Sequence, residues 1–210
     1  VSALPRLYAI VDADVCQQSD RAPREVARAF LSGGVRLLQL RAKTLASGAF
    51  LDLAAAIVEE SRAAGAMVII NDRADLAVLA QATGVHVGQD DLSPTDVRRV
   101  TGPDAIVGLS THTTAQLTAA LDEPISYLAI GPVFGTTTKA TGYAPVGIDA
   151  VRQAAALAVT RVLPVVAIGG ITLETAARVI AAGAASVAII GDLLVGDPEA
   201  RVRQYLSALG

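Results

Sequence analysis

The stretch LYAIVDADVCQQ, Leu7–Gln18, decides the fold. Its first five residues are all apolar, which suits a strand buried on both faces of a parallel sheet. Parallel strands build either an open doubly wound sheet or a closed barrel. The open sheet carries a glycine-rich fingerprint directly after its first strand, where the backbone closes on a pyrophosphate. VDADVCQQ contains no glycine. The stretch therefore reads as the first unit of a barrel.

Seven further runs repeat its pattern: VRLLQL from Val35, MVII from Met67, GVHV from Gly84, AIVGL from Ala105, YLAI from Tyr127, VVAI from Val165 and SVAII from Ser186. Helical signals lie between them. Pro23 opens PREVARAFL and Gly33-Gly34 stop it. Ser47 precedes an Ala- and Leu-rich stretch that ends near Gly65. Ser93 caps PTDVRRV with Pro94 in the first helical position. Thr172 leads into LETAARVIAAG, and Pro198 opens EARVRQYLSAL. Eight strands alternating with eight helices predict an α/β fold, a single (β/α)₈ TIM barrel over residues 1–210, with no linker or break in composition.

The 210 residues are 52% hydrophobic and 3% aromatic, so the core is aliphatic. A net charge of -3 gives no general attraction to nucleic acid or anionic membrane, so any anion site is local. The single cysteine, Cys16, excludes an intramolecular disulfide framework and reads as a buried thiol. There is no leader pattern and no apolar run of spanning length. The expectation is a soluble, cytoplasmic protein acting on small molecules, without nucleic-acid or membrane partners; homo-oligomerisation is left open.

A barrel of this kind works at the C-terminal ends of its strands, and polar residues cluster there. QLRAK places Gln39, Arg41 and Lys43 at alternate positions, a spacing that points all three to one side and suits a phosphate or diphosphate. The alternative is a solvated strand end. Asn71 and Asp72 end the third run; His86, Gln89, Asp90 and Asp91 follow from the fourth. Asp72 and Asp91 can converge on Mg²⁺, which takes one or two carboxylates plus substrate phosphates. The alternative is that each caps the next helix, and for Asp90 it weighs equally. His86 reads as a hydrogen-bonded imidazole within its strand. GLSTHT offers Ser110 and His112 without the G-x-S-x-G elbow of a nucleophile, so Ser110 reads as a donor to substrate and His112 as a supporting residue. GPVFGTTTKATG, Gly131–Gly142, carries four threonines and one lysine without an acid. Gly169-Gly170 and Gly191 precede helical segments whose free N–H groups favour an anion. Two anion sites and a metal suggest two phosphorylated substrates.

QLRAK, ND, HVGQDD, GLSTHT, GPVFGTTTK and AIGGI, in this order, resemble the thiamine-phosphate synthase (thiamine-phosphate pyrophosphorylase) family over almost the whole chain. The resemblance implies a Mg²⁺-dependent barrel that joins a hydroxymethylpyrimidine diphosphate to a thiazole phosphate and releases diphosphate. It implies that Gln39, Arg41, Lys43 and Asn71 hold the diphosphate side and that Asp72 and Asp91 bind Mg²⁺. Ser110 and Lys139 would reach the pyrimidine diphosphate. Thr136, Thr138, the Gly170 backbone, Ile190 and Gly191 would contact the thiazole phosphate. Arg41, Lys43, Ser110 and Lys139 would carry the catalysis.

The chain departs from the family pattern at Ala42, where Glu is frequent, at Gly135, where Pro is usual, and at Gly191, where Ser is common. One rival is the thiazole tautomerase branch, which tends to carry His at the position of Pro132. Another is a barrel that only binds phosphorylated ligands. The joint presence of Arg41, Lys43, Asp72 and Asp91 favours the synthase.

Overall fold

The computed structural model describes residues 4–136 and 142–210. Expectations for Thr137, Thr138 and Lys139 therefore lie outside the described residues. Eight parallel strands close into a barrel: β1 (Leu7–Asp12), β2 (Leu37–Arg41), β3 (Met67–Asn71), β4 (Gly84–Val87), β5 (Ile106–Thr111), β6 (Tyr127–Ile130), β7 (Val165–Ile168) and β8 (Ser186–Ile189). Each strand pairs with the next, and β8 returns to β1 with Ala188 opposite Tyr8. All eight apolar runs form strands. The protein is a (β/α)₈ TIM barrel.

The helices are α1 (Ala13–Gln18), α2 (Pro23–Gly33), α3 (Ser47–Ala63), α4 (Ala74–Leu79), α5 (Pro94–Thr101), α6 (Thr114–Ala120), α7 (Gly147–Ala158), α8 (Leu173–Ala181) and α9 (Pro198–Leu209). Two 3₁₀ turns, Val159–Arg161 and Gly191–Leu194, complete the described elements. Among the described residues there are thus nine α-helices where eight are expected. The extra one, α1, forms because Asp12 ends β1 and caps the next turn, accepting from the Asp14 and Val15 N–H groups at 3.0 and 3.3 Å. Ser47 is likewise corrected: it is the first residue of α3, preceded by an uncapped Ala46, and its hydroxyl accepts from Arg73 instead. Ser93, Thr172 and Pro198 stand where expected. Ser93 accepts from the Asp96 N–H, and Thr172 forms a reciprocal capping box with Thr175.

Alternation along the strands creates two cores. Leu38, Leu40, Val68, Ile70, Val107 and Leu128 face outward against the helices. Tyr8, Ile10, Leu37, Ile69, Tyr127, Ala129, Val166 and Ala188 fill the barrel interior. The same inward parity that gives apolar residues low in the barrel brings Asp12, Arg41, Asn71 and Ser110 to its upper rim. Register fixes the neighbours there: Asp12 lies opposite Arg41, and Asn71 opposite His86.

The interior has little slack. A Cβ on Gly108 would sit 2.1 Å from Tyr127 Cζ and 2.3 Å from its hydroxyl oxygen. The Tyr127 ring occupies the space that a side chain on β5 would fill. Gly108→Ala is expected to destabilise the fold by about 1–3 kcal/mol and to lower the thermal midpoint by roughly 2–12 °C. Calorimetry checks this; an unchanged midpoint would mean that the interior yields without loss.

Candidate active site

The strand ends surround a cavity of about 360 Å³, the size of a small-ligand pocket. Its wall includes Gln39, Arg41, Asn71, His86 and Ser110 on one side, and Thr136, Gly169, Gly170, Ile190 and Gly191 on the other. These are most of the residues singled out from sequence, brought together by the barrel.

The cationic side is organised by ion pairs. Arg41 ends β2 and its Nη1 meets Asp12 Oδ2 at 2.5 Å, with Asp12 only 2% exposed. Asp12 thus serves two partners, capping α1 with one oxygen and Arg41 with the other. Arg41 Nε is buried and has no hydrogen-bond partner among the described residues. A buried unpaired guanidinium nitrogen is costly unless something accepts from it. Arg41 also lines the cavity, where a guanidinium suits a ligand oxygen.

Lys43 lies beyond the end of β2, and its ammonium is 2.5 Å from Asp72 Oδ2. Asp72 itself has a left-handed backbone, φ 63°, an uncommon state for a residue other than glycine. Its N–H donates to the His86 carbonyl at 2.8 Å, which ties the β3 end to β4. Strain held by its surroundings concentrates at functional positions. Burial raises the Asp72 carboxyl above the ordinary aspartate range; the Lys43 ammonium opposes this, and contact with the Asp91 carboxyl reinforces it. Asp91 is held in its turn by the Gly88 N–H at 2.8 Å. Asp72 and Asp91 therefore converge, and repulsion between them would be relieved by a cation. Two hard carboxylates open to further oxygen ligands fit Mg²⁺. Among the described residues no three acidic, histidine or cysteine side chains form a complete metal cage.

Asp90, like its neighbour Asp91, is exposed. Gln89 turns away from the cation side and donates to the Ser110 carbonyl at 2.6 Å. His112 supports the next loop: its Nδ1 lies 2.6 Å from the Gly131 carbonyl, and its ring stacks on Tyr143 at 4.1 Å.

The opposite wall is built from backbone. Gly169 and Gly170 have φ values of 98° and 64°, and the loop from β6 packs directly on them. A Cβ on Gly170 would lie 2.4 Å from the Gly135 carbonyl oxygen. Glycine is needed here for both conformation and space. The Val133 and Phe134 N–H groups donate to the Ile168 and Gly169 carbonyls, each at 2.9 Å, which leads the chain toward Thr136. Gly191 opens the 3₁₀ turn after β8. Below it, Asp192 Oδ2 is held by Arg201 at 2.8 Å and by the Tyr205 hydroxyl at 2.5 Å. Those partners oppose its charge, so it does less to repel an anion at the rim.

Sequence reading missed Tyr8, Asp12, Tyr127 and Asp192. The two tyrosines sit in runs that read only as apolar. Asp12 was the polar residue closest to the end of β1, and its position at a strand's C-terminal end was the available signal.

The thiamine monophosphate synthase family model matches residues 7–193. A thiamine-phosphate synthase of Koribacter versatilis (strain Ellin345) is 47% identical, with 98% of this chain and 96% of that protein covered. Another, from Anaeromyxobacter dehalogenans (strain 2CP-C), is 44% identical over 89% of this chain and 82% of its own. The solved thiamine phosphate pyrophosphorylase of Pyrococcus furiosus superposes with a TM-score of 0.87, covering 97% of this chain and 95% of its own; at 24% identity it speaks to the fold alone. The chain belongs to the thiamine monophosphate synthase family and is a transferase of thiamine biosynthesis.

Proposed function

We propose that residues 1–210 act as one catalytic barrel that condenses hydroxymethylpyrimidine diphosphate with a thiazole phosphate to give thiamine phosphate and diphosphate. One observation carries this reading: a single cavity has Gln39, Arg41, Asn71 and Ser110 in one wall and the Gly169-Gly170 and Ile190-Gly191 backbone in the facing wall, with Lys43, Asp72 and Asp91 just past the adjoining strand ends, outside its lining. Two anionic groups can enter it from opposite sides.

The reaction needs little from the protein in proton transfer. The bond from the pyrimidine methylene to the diphosphate oxygen breaks, and its electron pair leaves with diphosphate. The thiazole nitrogen lone pair forms the new carbon–nitrogen bond, leaving a thiazolium cation, and no proton is lost. Catalysis is then stabilisation of charge on the leaving group and alignment of the two rings. Arg41 and Lys43 face the developing diphosphate charge, with Asn71 and Gln39 beside them. Mg²⁺, held by Asp72 and Asp91, would supply further neutralisation of that charge when bound. Gly170, Ile190, Gly191 and Thr136 hold the thiazole phosphate through backbone N–H and hydroxyl groups. Thr138 on that phosphate and Lys139 on the diphosphate side complete the proposal from the family resemblance. No helix of the described residues is long and apolar enough to cross a membrane; a cytoplasmic location is part of the proposal.

Incubating the purified protein with both phosphorylated halves and Mg²⁺ should yield thiamine phosphate and diphosphate in equal amounts, and chelation should stop it. Absence of both products, where an active synthase forms them in parallel, would overturn the assignment.

A further inference from the structure

Five side chains form an unbroken hydrogen-bonded row through the barrel interior to the cavity. Gln39 Nε2 is 2.8 Å from the Tyr8 hydroxyl, which is 3.0 Å from the Tyr127 hydroxyl. Tyr127 Oη is 2.8 Å from His86 Nδ1, and His86 Nε2 is 2.8 Å from Ser110 Oγ. Packing holds the row in place: the Tyr8 and Tyr127 rings meet edge to face at 6.0 Å, and His86 stacks on Tyr127 at 5.6 Å. Gln39, His86 and Ser110 also line the cavity.

Counting hydrogens gives this row a direction. Its four links need four hydrogens. Burial raises the titration of both phenols above the ordinary tyrosine range, so each keeps its single hydrogen. A neutral imidazole has one N–H. These three groups supply three hydrogens, and the fourth must come from one end. If it comes from Ser110, the serine has none left for a ligand and Gln39 must accept through its carbonyl oxygen. If it comes from the Gln39 amide, Ser110 accepts from His86 and keeps its own hydrogen for the cavity. The structure places Gln39 Nε2, the donor atom, against Tyr8.

We propose that Gln39, Tyr8, Tyr127 and His86 form a polarised row that holds His86 as its Nε2–H tautomer and makes Ser110 a hydrogen-bond donor to an acceptor atom of the pyrimidine diphosphate. Tyr8, Tyr127 and His86 are positioning residues, acting on the ligand through Ser110. In this sense of the row Ser110 has a hydrogen to give a ligand acceptor; in the reverse sense it would offer a ligand lone pairs only. The choice of ligand rests on the function proposed above; the sense of the row does not.

The chain has two histidines, which makes the test direct. His112 Nδ1 faces a carbonyl oxygen, so His112 must carry its hydrogen on Nδ1. Long-range proton–nitrogen correlation spectra of histidine-labelled protein at mildly alkaline pH should show opposite tautomers, Nε2–H for His86 and Nδ1–H for His112. An Nδ1–H signal for His86 overturns the proposal, whether or not the protein turns over. Tyr127→Phe removes the donor to Nδ1 and should abolish the single His86 tautomer. It should also lower kcat/KM for the pyrimidine diphosphate roughly three- to tenfold, with KM for the thiazole phosphate unchanged. A Tyr127→Phe protein with the native tautomer and native kinetics would also refute it. Should that variant fail to fold, the native spectrum decides alone.

Discussion

Arg41→Ala is expected to lower folding stability by about 3–5 kcal/mol and turnover by about two to three orders of magnitude. The first effect follows from what is left behind. Asp12 is 2% exposed and its Oδ2 has Arg41 Nη1 at 2.5 Å. Removing the guanidinium strands a buried carboxylate, which is far worse than never having had the pair. The second effect follows from the loss of a guanidinium in the cavity lining. Arg41→Lys should restore part of the stability but little of the activity, because a point charge lacks the planar fork. The double variant Asp12→Asn with Arg41→Ala separates the roles. It keeps a side-chain oxygen to cap α1, relieves the stranded charge and should regain stability without regaining turnover. Denaturant titration with steady-state kinetics reads both. Recovery of turnover in the double variant would assign Arg41 to folding alone.

The barrel is legible in the sequence because its strands are buried on both faces. Runs such as MVII and VVAI carry no polar residue, and they recur between stretches with helix caps. The helix count goes astray at Asp12 for a local reason. An acid after a strand reads as a turn, and only its bonds to the Asp14 and Val15 N–H groups show it opening α1. The cationic and acidic rim is legible because charge is rare next to apolar runs, so QLRAK, ND and HVGQDD stand out. The polar row beneath the cavity is not. Tyr8 and Tyr127 are separated by 119 positions, and each looks like one more core residue. Their pairing depends on barrel closure and on the space left by Gly108, which no periodicity encodes. Gln39 shows the same limit. Its spacing with Arg41 correctly gives the inward face, but not that its amide already donates to Tyr8.

Asp91→Ala should reduce Mg²⁺-dependent diphosphate release by about a hundredfold or more while the fold persists. Asp91 is exposed, and it accepts from the Gly88 N–H at 2.8 Å. An exposed N–H can turn to water, so the loss to stability should stay within about 1 kcal/mol. Two effects on the neighbouring carboxyl point the same way. Contact with Asp91 is one cause of the raised Asp72 titration, and alanine removes it. Asp72 then pairs more fully with Lys43, which lies 2.5 Å away, and is less available to a cation. Asp91→Asn sharpens the test, since its amide oxygen can still accept from Gly88 but carries no charge. If the turn geometry were the whole contribution, asparagine would restore turnover. If the paired negative charge holds the metal, asparagine should stay close to alanine, and raising Mg²⁺ should recover part of the rate in both. Native turnover in Asp91→Ala, with an unchanged dependence on Mg²⁺, would remove Asp91 from the metal site and leave Asp72 to Lys43.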